Sequence, residues 1–184
     1  MAGTEITGAL ATIAASAVTG VVALLTVHLT NRGNNDRIAS QLSHEKQIAR
    51  AELMREKGEE LYELASEWQR NISTQCVAIQ AVMRGNLTYN QALDLQNEAV
   101  TRGKYYRIRL LAQAYFPDIT GRLGEVEEKV EAVSKLRTYH KAAYQTGEAS
   151  AAAAFLKPFT DANLALSEAM NELKGEIAVR VGSL

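Results

Sequence analysis

The stretch EELYELASEWQRNISTQCVAIQAVM, residues 59–83, carries the clearest pattern for the fold. Apolar side chains recur in it at steps of three and four residues, which is the spacing of one face of an α-helix. That face consists of Leu61, Leu64, Trp68, Ile72, Cys76, Ile79 and Val82. The pattern predicts a helix whose apolar face packs into a core.

N-terminal to this stretch, the chain contains no proline back to Arg37, so the same helix is predicted to begin there. Its apolar residues are sparser in this part, and charged residues lie between them. The sparse positions are Ile38, Leu42, Ala49 and Leu53. This segment is predicted to be a charged stalk, with the spacing of a coiled-coil helix.

C-terminal to residue 83, the helix boundaries follow from turn and cap signals. Thr88 and Gln91 have the spacing of a capping box that opens a second helix. A further helix must end before Pro117, Asp118 is a candidate cap for the next one, and Gly147 ends it. A final helical pair is expected to be split at Pro158. Short connections between these helices predict an antiparallel bundle.

Residues 6–30, ITGALATIAASAVTGVVALLTVHLT, form an uncharged run. As a helix this run would be roughly 37 Å long, which exceeds the hydrocarbon core of a bilayer at about 30 Å. NRGNND, residues 31–36, is predicted to break the helix after it. The predicted fold is therefore all-α, with one N-terminal transmembrane helix, a long stalk helix and an antiparallel cytoplasmic helical bundle. The predicted domains are a transmembrane anchor, 1–33, and the stalk and bundle, 34–184.

Basic residues are distributed asymmetrically around this run. None precedes it, whereas Arg32, Arg37, Lys46 and Arg50 follow it closely. The positive-inside rule then places the N-terminus outside and the C-terminal domain in the cytoplasm. A cleaved signal peptide would begin with positive charge, which this chain lacks. The expected location is the bacterial inner membrane, where the span contacts membrane lipid.

Within the predicted span, a small or hydroxyl-bearing residue occupies every fourth position: Gly8, Thr12, Ser16 and Gly20. Positions four apart lie on one helix face, and small residues let membrane helices approach closely. The ridge therefore predicts a homo-oligomer, in which the ridge either forms a tight contact or lines a pore. The simpler alternative is that small residues are common in membrane helices.

Charge and motifs argue against an enzyme. The chain has 20 basic and 21 acidic residues, so its net charge favours no class of partner. It has a single cysteine. It has no phosphate-binding glycine loop, no HExxH and no Glu-x-x-His pattern of a di-iron bundle. The sequence predicts no catalytic residue, no cofactor and no metal site.

One segment, TRGKYYRIRLLAQAYF at residues 101–116, departs from the balanced charge elsewhere. Guanidinium groups beside aromatic rings suit phosphates and stacked bases, so a nucleotide or oligonucleotide ligand is a coherent prediction. The candidate residues are Arg102, Lys104, Tyr105, Tyr106, Arg107 and Arg109. The alternative is a solvated basic face, or one that pairs with the acidic helix at residues 125–131.

The segments EELYELASEWQ, MRGNLTYNQALDL and RLLAQAYFPDI resemble a diffuse group of small, uncharacterised bacterial single-pass membrane proteins with a cytosolic helical bundle. The layout is also similar to that of anti-phage membrane effectors such as the Hailong membrane effector. That resemblance implies an oligomeric membrane effector whose regulated pore is triggered through the cytoplasmic bundle. The alternative function is a membrane-tethered scaffold or adaptor that binds a cytosolic protein.

Overall fold

The computed structural model describes the backbone of residues 2–97, 102–147 and 152–183, and the side chains of residues 26–94, 104–147 and 152–183. The described backbone is helical and contains no strand, which confirms the all-α prediction. The elements are α1 (Ala2–Met83), α2 (Tyr89–Asn97), α3 (Arg102–Tyr115), a 3₁₀ turn (Pro117–Ile119), α4 (Thr120–Gln145) and α5 (Leu156–Gly182).

The chain divides into two compact units, Met1–Arg50 and Ala51–Leu184. No helix within the residues that the structure describes is long and apolar enough to cross a membrane. Residues 6–25 of the predicted span lie outside the described side chains. The predicted ridge of Gly8, Thr12, Ser16 and Gly20 therefore also lies outside them.

In the first unit, the predicted helix break at residues 31–36 is wrong, because α1 is helical throughout that segment. Glycine and asparagine each cost a helix at most about 1 kcal/mol relative to alanine, whereas proline costs about 3 kcal/mol. The segment has no proline, and Gly33 keeps an ordinary negative φ. The long helix therefore continues through these unfavourable residues.

The second unit is the predicted bundle. Its core contains the apolar face of α1 expected from the sequence, including Leu61, Trp68 and Ile79, together with buried side chains of α3, α4 and α5. The amide of Gln69 donates to Asn171 at 3.0 Å, and the amide of Gln80 donates to Thr160 at 3.3 Å. These pairs show that α5 runs antiparallel to α1.

Three helix boundaries test the cap predictions. The Thr88–Gln91 capping box is confirmed, because the backbone N–H of Thr88 donates to Gln91 Oε1 at 2.8 Å. The positive φ of Gly147 follows the end of α4, as predicted. Asp118 is not a cap, because it lies in the 3₁₀ turn and its carboxylate pairs with Arg180 at 3.1 Å.

The final helical pair is divided at residues 154–155, where the chain turns, and not at Pro158 as predicted. Helix α5 begins two residues earlier, at Leu156, and includes Pro158 in its first turn. The backbone N–H groups of a first turn have no partner within the helix, so proline removes no hydrogen bond there. Proline at this point is therefore compatible with a continuous helix.

Helices α1 and α5 lie close together at Gly58. A Cβ atom at this position would collide with Val181 Cγ2 and lie 3.2 Å from Phe116 Cζ. Valine has few rotamers, so Val181 cannot easily move aside. The missing side chain at Gly58 thus allows the C-terminal part of α5 to pack on α1.

We expect Gly58→Ala to lower the free energy of unfolding by about 1–2 kcal/mol, because overpacking outweighs the better helix propensity of alanine. Urea unfolding followed by circular dichroism measures the change. Val181→Ala in the same chain should restore part of the loss. Gly175→Ala is the matched control, since nothing lies within 4 Å of its added Cβ. A stabilised Gly58→Ala chain would contradict the close approach.

Candidate functional site

The basic segment of α3 lies against α1, and two of its cations are paired there. Lys104 Nζ lies 2.5 Å from Glu67 Oε2, and the Arg107 guanidinium lies 2.7 Å from Glu60 Oε1. The two pairs show that α3 runs antiparallel to α1. The acids that neutralise these cations therefore lie on α1, and not in the acidic stretch of α4 that the sequence suggested.

These contacts shift the acidity of both glutamates. The hydrogen bond from Arg107 lowers the pKa of the Glu60 carboxyl, and the hydrogen bond from Lys104 lowers that of Glu67. A donor that bonds the charged form of a carboxylate favours that form. Both glutamates are thus held ionised, and their pairs with α3 persist across neutral pH.

The aromatic side chains of the segment lie on the neighbouring face, towards α4. The ring of Tyr105 packs on that of Trp68 at a centroid distance of 5.4 Å, and its hydroxyl donates to Glu127 Oε1 at 2.6 Å. Burial and this hydrogen bond raise the pKa of Tyr105, whereas Arg109 opposes the rise. Tyr106 is 67% exposed. The rings therefore form the wall of an open groove.

This groove has a volume of about 420 Å³ and combines aromatic rings with carboxylates. We call it the aromatic groove. Its lining residues are Trp68, Tyr105, Tyr106, Glu127, Val130, Glu131 and Ser134. Carboxylates repel phosphate, so this face offers stacking surface without a phosphate-binding charge of its own.

The structure thus distributes the six predicted ligand residues over different environments. Lys104 and Arg107 are neutralised on α1, Tyr105 and Tyr106 line the aromatic groove, and Arg109 is exposed beside the Tyr105 hydroxyl. Arg102 begins α3, but its side chain lies outside the described residues. Nucleotide binding by this segment stays a prediction.

A cluster of rings around one buried histidine connects α2, α4 and the residue before α5, and the sequence pattern did not indicate it. His140 is 1% exposed, and its Nδ1 is hydrogen-bonded to the Tyr89 hydroxyl at 2.5 Å. Tyr144 and Phe155 pack around the imidazole. Burial lowers the pKa of His140, so the ring is neutral at neutral pH. Only the fold brings these rings together, since they are separated by up to 66 positions in the chain.

A second feature that the sequence did not indicate is a cavity between α1, α4 and α5, beside Cys76 and Arg137. No group of three or more metal-ligating side chains occurs in the described part of the chain. Comparisons with known proteins add no relative, because no protein-family model, curated protein or solved structure matches the chain.

We expect the double variant Glu60→Gln, Glu67→Gln to lose less of its free energy of unfolding in acid than the parent chain does, because the two ion pairs are absent from it. Because both folded-state pKa values are lowered below the ordinary 4.5, the stability they contribute is present above that pH and is lost as pH falls through the lowered values. Urea unfolding at pH steps from about 7 to about 3 should therefore show a shallower decline for the double variant. Glu63→Gln, an exposed glutamate on the same helix, is the control and should decline like the parent chain. Identical pH profiles for parent and double variant would contradict the assignment.

Proposed function

We propose that the chain is a single-pass membrane protein that self-associates through its N-terminal helix, with its helical bundle in the cytoplasm. The proposal is supported by the uncharged run at residues 6–30 and by the basic residues that follow it. The structure adds a second line of support, which is the exposure of the side chains at the end of that run and after it.

The observation that carries the proposal is the exposure of α1 between residues 26 and 50, where every side chain is exposed. Val27 and Leu29, at the end of the predicted span, are 58% and 65% exposed. Ile38 and Leu42 are also exposed, and together with Ala49 they recur at steps of four and seven residues, so they lie in one stripe. Exposed apolar side chains on a helix can be buried by a partner. At the membrane end of the helix that partner would be lipid, and further along it would be the same stripe of a second copy of the chain.

Beyond self-association, we propose that assembly opens or disrupts the membrane when the bundle is triggered. The small-residue ridge would form either the contact between copies or the lining of the opening. The basic segment of α3 is the candidate site for a nucleotide-derived signal. An anti-phage role is what the similarity in layout implies. Each of these steps depends on self-association.

We expect Ile38→Glu with Leu42→Glu to shift the detergent-extracted chain towards smaller oligomers, because charges introduced into the stripe repel one another between copies. Multi-angle light scattering on the purified protein measures the mass. Ser43→Glu with Gln47→Glu adds the same charge to the opposite face of the helix and should leave the mass unchanged. Equal masses for both double variants would contradict association through the stripe.

Replacing Gly8, Ser16 and Gly20 by leucine should abolish conductance across planar bilayers, because bulky side chains prevent close helix approach. The same measurement on the parent chain provides the reference, and Leu24→Ile with Leu25→Ile is a control that leaves the ridge intact. Unchanged conductance from intact oligomers would contradict a role for the ridge.

The second candidate function, a tethered adaptor, is favoured by the exposed Tyr106 ring over the aromatic groove. Exposed aromatic rings are common at the centres of protein interfaces. Exchanging residues 1–33 for an unrelated monomeric anchor separates the two functions. An adaptor would keep its activity after the exchange, whereas a pore-forming oligomer would lose it.

A further inference from the structure

A cavity of about 130 Å³ lies among α1, α4 and α5 in the second unit. Its deep part is apolar: Ile79 and Phe159 are almost completely buried, and Leu166 and Val133 are buried beside them. The full described lining is Ile72, Gln75, Cys76, Ile79, Val130, Val133, Ser134, Arg137, Phe159 and Leu166. This cavity is separate from the aromatic groove, although the two share Val130 and Ser134.

The cavity as a whole, at about 130 Å³, is of the size that holds a small ring. A cavity of about 150 Å³ lined by leucine, isoleucine and phenylalanine stays dry in water and binds benzene. Burial of Cys76 raises the pKa of its thiol to about 11, so the thiol is neutral and adds no charge to the wall. An apolar group of about that size therefore fits the space.

Arg137 gives the cavity its charge. The guanidinium is half-buried, and no carboxylate lies within ion-pair distance of it among the residues that the structure describes. Its positive charge acts on the Cys76 thiol, where it opposes the rise in pKa. Lys104, Arg107, Arg122 and Arg180, by contrast, each pair with an acid. A half-buried guanidinium without a carboxylate partner is available to pair with an anion.

Two neutral polar side chains line the same cavity as Arg137. Gln75 comes from α1, and Ser134 lies one turn before Arg137 on α4. The amide and the hydroxyl can each donate a hydrogen bond to an oxygen held by the guanidinium. Donors are thus supplied by two helices, beside an apolar space.

We propose that this cavity binds a small amphiphilic anion, namely a carboxylate that carries an apolar group the size of a six-membered ring. The ring fills the space beside Ile79 and Phe159, and the carboxylate pairs with Arg137. The proposal is independent of the membrane function, because every residue that carries it lies in the bundle.

Isothermal titration calorimetry on the full chain in lipid nanodiscs tests the site, with empty nanodiscs as the blank. Three probes separate the two parts of the ligand: benzoate carries both ring and charge, benzamide lacks the charge, and acetate lacks the ring. We expect benzoate to bind about tenfold more tightly than either of the others, since a charge-assisted hydrogen bond and ring burial each contribute about that factor. Equal affinities for benzoate and benzamide, or no binding of benzoate, would overturn the proposal.

Arg137→Gln should weaken benzoate binding about tenfold and leave benzamide binding unchanged. Lys129→Gln removes an exposed positive charge from the same helix and is the matched control, so its benzoate affinity should equal that of the parent. Circular dichroism checks that both variants keep the helical fold. Unchanged benzoate affinity in a folded Arg137→Gln chain would overturn the role of the guanidinium.

The single cysteine locates the ligand. Cys76 lines the cavity, so bound benzoate should slow its reaction with methyl methanethiolsulfonate, with half-maximal protection at the calorimetric Kd. Mass spectrometry of the intact chain measures the reacted fraction over time. An unchanged reaction rate at saturating benzoate would place the ligand elsewhere and overturn the assignment to this cavity.

Discussion

Packing on the apolar face of α1 between Leu61 and Met83 is the interaction on which the second unit depends. Buried side chains from α3, α4 and α5 all join the core that this face begins. Burial of apolar surface is the main favourable term in folding, and it has no direction of its own. The arrangement of the other helices around this face therefore depends also on the short connections between them and on more specific contacts.

Polar contacts at the edge of the core match that arrangement. Lys104 and Arg107 hold α3 antiparallel to α1, while Arg122 near the start of α4 contacts Glu172 and Glu176 near the end of α5. Exposed ion pairs contribute little to stability. Their value here is geometric, because each pair is satisfied in one helix orientation and is broken in the opposite one.

The same packing distinguishes Arg137 from two cations of the basic segment of α3. Two cations of α3 are used to attach it to α1, so their charge is balanced within the fold. Arg137 lies on α4, where the apolar walls of α1 and α5 leave a space and no described acid balances its charge. The proposed anion site therefore uses a cation that has no described acid beside it, and not the densest run of basic residues in the sequence.

Features that depend on neighbouring residues were determined by the sequence alone. The apolar spacing of residues 59–83, the Thr88–Gln91 capping box and the glycine at 147 each predicted their local structure correctly, because helix periodicity and caps involve residues within a few positions. The helix break at residues 31–36 was predicted wrongly for a related reason, since local propensities of about 1 kcal/mol do not decide the outcome in a long helix. The tertiary structure alone decided the partners of Lys104, Arg107 and Asp118, the burial of His140 and the cavity beside Arg137. These features join residues that lie far apart in the chain, and only the packing of the helices brings such residues within contact distance.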